Sequence, residues 1–325
     1  METPMMKQLR WIALALPFAL LAACAADAIP DTDLPSDEAQ QSVTTTGFTA
    51  SYTGQGANAS RCNTSFAITG QEPTTSGTFP VFLYMVGTTE TSTNASATAA
   101  VAGMASRGFV AATIGYDAGS FNNCTGIKGK ASCMFDAGSS SSAVSVLCAR
   151  AKADCSKGIV VGGFSQGAVI ATQAKNFDAR VRAAWGIGDG VQYTTAFNLS
   201  SCQANGNHTL DSNHLRAVVG QKDQFVGNGA FGIGAGTAAA ARTQLMSLTG
   251  LTCSSTTFNC LRSDGSGWYL VQNSQVQDGS ADHCHMRASG DCSGSQDSLD
   301  AGWANGSDPW ELAANLDWLN GFVTH

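Results

Sequence analysis

From residue 79 onward, unbroken apolar runs alternate with longer segments in which small and apolar residues recur at helical spacing. The runs are "FPVFLYMVG" (79–87), "FVAATIGYD" (109–117), "GIVVGGFS" (158–165), "VRAAWGIG" (181–188), "HLRAVVG" (214–220) and "GWYLVQNSQVQ" (267–277). A strand with one wet face would alternate apolar and polar residues, whereas continuous runs predict strands buried on both faces, as in a parallel sheet. The intervening stretch 95–107, "SSAVSVLCARAKA" (141–153), "QGAVIATQAKN" (166–176) and the amphipathic "PWELAANLDWLNGFV" (309–323) predict helices. Strand and helix in alternation give an α/β domain over 47–325, with a mostly parallel central sheet and helices on both faces. The segment before it, 24–46, is acidic and polar, carries two prolines and has no apolar period, so it reads as a flexible tether.

The first 23 residues read as an address. Lys7 and Arg10 precede "WIALALPFALLAA", an apolar run too short for a permanent membrane span. Its end, Leu21-Ala22-Ala23-Cys24, resembles the lipobox of bacterial lipoproteins, which implies lipidation at Cys24 and attachment to a membrane through that lipid. An ordinary secretory signal cut after the nearby small residues is the alternative. Both place the domain in the cell envelope or outside the cell.

Removing the signal leaves about 300 residues, enough for one large α/β domain. Eleven cysteines suit an oxidising compartment, and with Cys24 set aside the other ten can form five disulfides. Spacing suggests short loops, Cys124 with Cys133, Cys148 with Cys155, Cys253 with Cys260 and Cys284 with Cys292, leaving Cys62 with Cys202. Net charge is −7, and no basic run follows the signal, which argues against a nucleic-acid partner. Gly227 to Gly232 matches G-x-G-x-x-G, but it follows no strand directly and lacks an acidic residue about 20 positions on, so it reads as a glycine-rich loop.

Gly163-Phe164-Ser165-Gln166-Gly167 is G-x-S-x-G, set between a predicted strand and a predicted helix. That context lets a sharp turn lift a serine hydroxyl clear of the sheet, with glycines where a Cβ would obstruct it. A serine nucleophile so placed needs an acid and then a histidine from later strands. Asp223 lies three residues past the end of "LRAVVG", and His283 and His285 follow "WYLVQNSQVQ"; Asp189 is the second-choice acid. The intervals from Ser165 to Asp223 and from Asp223 to His283 are each about 60 residues, room for one or two strand-helix units.

With this elbow, Asp223 and the His283-Cys284 pair, the chain resembles the α/β-hydrolase superfamily over residues 47–325, and more loosely its secreted esterases of the dienelactone-hydrolase and cutinase-like kind. The resemblance implies an α/β-hydrolase fold and a serine hydrolase that cleaves carboxylic esters without a cofactor, through an acyl-enzyme. Ser165 would be nucleophile, His283 the base and Asp223 its orienting acid. The oxyanion would be held by the backbone NH of Gln166 and an NH at Thr88, although Val86 stands where many relatives carry histidine. His283 is preferred to His285 because it lies nearer the strand and keeps the His-Cys order of disulfide-bearing relatives. If the segment is extended, both side chains point to the same side. A metal at His283-Cys284-His285 is disfavoured, since the pair has no further ligands nearby. The expected substrate is an ester, polymeric esters included; Trp185 and Phe225 are candidates for a pocket wall. The rivals are a peptidase or amidase with the same triad, and a binding protein that keeps the fold without catalysis.

Overall fold

A computed structural model describes residues 43–54, 62, 64–193, 197–228, 234–289, 292 and 298–325, all within the unit Gln41–His325. Cys24, the signal and most of the expected tether lie outside the described residues. The elements in chain order are β1 (Thr45–Tyr52), β2 (Phe66–Pro73), β3 (Val81–Met85), α1 (Ala95–Ser106), β4 (Val110–Ile114), α2 (Cys124–Phe135), α3 (Ala143–Cys148), β5 (Ile159–Phe164) and α4 (Gln166–Gln173). There follow β6 (Val181–Ile187), β7 (Gln192–Tyr193), β8 (Phe197–Asn198), α5 (Ser200–Gln203), β9 (Leu215–Gly220), α6 (Ala238–Thr249), β10 (Asn259–Leu261), β11 (Gly267–Val271), α7 (Ala301–Asn305) and α8 (Leu312–Asn320).

Nine strands form one sheet in the order β1-β2-β4-β3-β5-β6-β9-β11-β10. The pairs from β4 through β11 are parallel, while β1 with β2, β2 with β4 and β10 with β11 are antiparallel. β3, β4, β5, β9 and β11 are buried at every position, as their continuous apolar runs require. Helices α4 and α8 both pack on β5 and β6. This is the α/β architecture expected from the alternation, with strands shorter than the apolar runs because the run ends turn into loops.

Four elements were not legible as such. β1 and β2 form an edge hairpin of mixed exposure, in which Tyr52, Ile68, Gly70 and Pro73 are buried and the other residues half-buried or exposed, and β1 starts at Thr45, inside the range expected to be tether. Tyr52 and Ile68 reach the hydrophobic core, while Phe48 covers Gly70, where a Cβ would come within 2.4 Å of the ring, and the Arg150 guanidinium stacks 3.6 Å from the Phe48 centroid. α2 holds two glycines and no clean period, and is capped by the Asn123 side chain accepting from the Gly126 NH. α6 begins in the alanine run that follows the glycine-rich segment, for which no helix was expected, and is capped by Thr237 and stopped by left-handed Gly250. Of the G-x-G-x-x-G match, Gly227 and Asn228 lie in a turn and 229–233 are outside the described residues.

The five disulfides are Cys62–Cys133, Cys124–Cys202, Cys148–Cys155, Cys253–Cys260 and Cys284–Cys292. Two expected pairs, Cys124 with Cys133 and Cys62 with Cys202, are therefore corrected. Both Cys124 and Cys133 belong to α2, and nine residues of helix separate them by about 13 Å, twice the Cα separation a disulfide tolerates. Five disulfides fit an extracellular or envelope protein. Among the described residues no helix is long and apolar enough to cross a membrane.

Candidate active site

β5 ends in Phe164 and α4 begins at Gln166, so Ser165 must make the whole reversal alone. It does so at φ 53°, ψ −118°, a backbone region that is costly for any residue with a side chain. Two glycines permit the turn: a Cβ on Gly163 would lie 2.4 Å from the Gly167 carbonyl carbon, and one on Gly167 would lie 2.1 Å from Met85 O. The Ser165 NH donates to Ile187 O at 2.8 Å, and the Ser165 carbonyl accepts from the Ala168 and Val169 NH groups. The strain is thus held from both sides by β6 and by the first turn of α4.

Past β9, Asp223 is fully buried and its Oδ1 accepts from the backbone NH groups of Phe225 and Val226, each at 2.8 Å. Those two bonds leave Oδ2 facing His283 Nδ1 at 2.7 Å. His283 is carried by the loop after β11, which Lys222 anchors by donating its NH to Ala281 O. Its ring is wedged between Phe164 (centroids 4.9 Å apart) and Phe225 (4.7 Å), with Gly188 so close that a Cβ there would touch Cε1 at 2.7 Å. With Nδ1 engaged by the carboxylate, Nε2 is the nitrogen left for a reacting hydroxyl.

The alternatives separate by position. Asp189 accepts from the Thr172 hydroxyl and the Gly190 NH, not from histidine, and burial raises its pKa to about 7. The segment around His283 and His285 is a turn, not extended, so the two rings diverge. His285 Nδ1 meets Asp282 O at 3.2 Å, its ring lies 6.2 Å from Trp310, and burial lowers its pKa to about 4. Cys284 is bonded to Cys292, which fastens the loop next to His283.

Ser165 and His283 both line a cavity of about 370 Å³ together with Thr88. Gln166, the first residue of α4, has a backbone NH with no intrahelical acceptor available to it. Thr88 follows the end of β3, and its Oγ1 accepts from Gln166 Nε2 at 3.1 Å, so the two expected oxyanion positions are in contact. The cavity wall is aromatic: Phe121 lies 4.7 Å from Tyr193 and 5.1 Å from Phe197, and Phe164 and Phe225 flank His283. Of the two aromatic candidates from the sequence, Phe225 lines the cavity, while Trp185 is buried beside Tyr84 within the sheet.

Sequence reasoning missed the buried ion pair of Arg287 with Glu90, whose other carboxylate oxygen accepts from the Gly87 NH at 2.7 Å. It also missed Lys130, which is 2% exposed and donates to Gln166 Oε1. No motif marks either, because their partners are 197 and 36 residues away in the chain.

No protein-family model matches the chain, and no curated protein does. Among solved structures it is similar to a hypothetical protein from Pseudomonas aeruginosa, at 17% identity and a TM-score of 0.35. The match covers 51% of this chain, which spans about half (47%) of that one. A likeness that slight has no bearing on function.

Proposed function

We propose that the protein is a serine hydrolase of the α/β-hydrolase fold that cleaves carboxylic esters. The observation that carries this reading is the bond from buried Asp223 to His283, a ring that lines the cavity into which the strained Ser165 turn opens. The fold assignment is supported by the strand order, by the antiparallel β2, and by the placement of the three residues after β5, β9 and β11 in turn.

Ser165 Oγ attacks the ester carbonyl carbon while His283 Nε2 takes the hydroxyl proton. Asp223 holds the ring in the tautomer that presents Nε2 and stabilises the imidazolium. The negative oxygen is met by the backbone NH groups of Gln166 and Thr88. As the tetrahedral species collapses, the C–O bond breaks, the leaving alkoxide receives the proton from His283, and an acyl-Ser165 ester remains. Water then attacks that ester, giving its proton to His283; the acyl C–Oγ bond breaks, Ser165 Oγ takes the proton back from His283, and the carboxylic acid departs. No step calls for a cofactor. The aromatic wall favours esters with an apolar acyl or aryl group, free or within a polymer. We further propose that Cys24 carries lipid and holds the enzyme at the bacterial envelope; Cys24→Ser should then move it from the membrane fraction to the soluble one.

The test is labelling with a fluorophosphonate probe together with hydrolysis of matched ester and amide panels. Labelling and ester cleavage that vanish in Ser165→Ala support the proposal. Faster cleavage of amides would make it a peptidase or amidase, and absence of labelling would make it a binding protein of the same fold.

A further inference from the structure

Behind the cavity, the Lys130 ammonium on α2 donates to Ser120 O at 2.7 Å and to Gln166 Oε1 at 2.8 Å. An ammonium carries donors alone, so the amide atom of Gln166 that faces it must be the oxygen. The amide nitrogen is thereby turned the other way, toward Ser120 O at 2.8 Å and Thr88 Oγ1 at 3.1 Å. The Ser120 carbonyl can only accept, so its bond to Gln166 demands the same amide orientation independently. Thr88 Oγ1 accepts from Gln166, and its own proton is consequently available to another acceptor. Thr88 lines the cavity beside Ser165.

We infer that Lys130 is a positioning residue that sets the donor direction of the chain Lys130 to Gln166 to Thr88, and so delivers the Thr88 hydroxyl as a third donor to the oxyanion. The inference rests on the acyl-transfer reading above. The positive charge at the head polarises each bond in turn, in a buried setting where such bonds are strengthened. The oxygen it serves carries full negative charge only in the tetrahedral species, so the arrangement acts on kcat rather than on substrate binding. A lysine that merely satisfied buried carbonyls would affect stability and leave Thr88 unlinked to it.

The experiment is a double-mutant cycle on kcat for a p-nitrophenyl ester, preceded by fluorophosphonate labelling of the wild type. Thr88→Val, which keeps the backbone NH, should lower kcat about 100-fold with KM within about threefold, and Thr88→Ser should recover most of that loss. Lys130→Met should lower kcat about tenfold, and adding it to Thr88→Val should cost nothing more, because the donor it orients is already gone. If Lys130→Met does not fold, Gln166→Leu breaks the same chain and keeps the backbone NH, and it completes the cycle in its place. Losses that multiply in the double variant, or a Thr88→Val enzyme within about twofold of wild type, would overturn the inference while leaving the hydrolase reading intact. An unlabelled, inactive wild type would overturn the hydrolase reading itself, and this inference with it.

Discussion

Arg287 and Glu90 form a buried ion pair that joins the loop after β11 to the loop after β3. Glu90 also holds the Gly87 NH, and Arg287 Nη1 reaches Cys292 O, so the pair links the expected oxyanion segment, the histidine loop and a disulfide. Removing one partner leaves the other charge buried and unpaired. Arg287→Met should therefore cost about 3 to 5 kcal/mol of stability, and Glu90→Gln in the same chain should recover part of it, as read by urea denaturation. A single variant as stable as wild type would show the pair to be dispensable.

The Ser165 backbone stores strain that only a side chain creates, since glycine accepts positive φ without penalty. Ser165→Gly is expected to abolish ester hydrolysis and yet raise stability by about 1 kcal/mol. Ser165→Ala should lose activity by a factor of about 10⁴ to 10⁶ and gain no stability, because alanine keeps the Cβ. Denaturation midpoints and initial rates on the two proteins check both statements.

His283 and His285 should behave differently although two positions separate them. His283→Ala removes the ring that meets Asp223 and is expected to lower kcat at least about 1,000-fold. His285 faces Trp310 and Asp282, so His285→Asn should keep far more of the rate. Reversed losses would move the base to His285.

Two buried groups make opposite contributions to stability as pH changes. His285 titrates at about 4 in the folded chain against 6.5 for a solvated imidazole, so its stabilisation is present above 6.5 and is lost as pH falls toward 4. Asp189 titrates at about 7 against 3.8 for a solvated carboxyl, so its contribution is present below 3.8 and is lost as pH rises through 7. Relative to wild type, His285→Asn should look better at pH 4.5 than at pH 8 by about 2 to 3 kcal/mol, and Asp189→Asn should look better at pH 8 than at pH 4.5 by about 3 kcal/mol. Slopes of the same sign in urea titrations at the two pH values would contradict the assignment.

The disulfides differ in the length of chain they close. Cys124–Cys202 spans 78 residues and Cys148–Cys155 only 7. Loop-closure entropy predicts about 4 kcal/mol for the first and about 2 kcal/mol for the second when each pair is replaced by serine. Peptide mapping without reduction should recover Cys124 joined to Cys202 and Cys62 joined to Cys133; a Cys124–Cys133 peptide would refute this connectivity.

What the chain determined by itself is whatever a short window can encode. Continuous apolar runs mark strands such as β5 because burial on both faces leaves no place for a polar residue. Gly163-Phe164-Ser165-Gln166-Gly167 marks a turn because close backbone approach excludes a Cβ at Gly163 and at Gly167. Asp223 and His283 were legible from their order and their places after strands, and tertiary structure then brought them within 2.7 Å. It also chose Asp223 over Asp189, since the acid that meets the imidazole is set by which strand end lies beside the histidine loop. Pairings between distant segments carry no local signature. Cys124 with Cys202, Glu90 with Arg287, and Lys130 beneath Gln166 each join surfaces that meet only after the sheet has assembled, and no spacing along the chain encodes a distance across it.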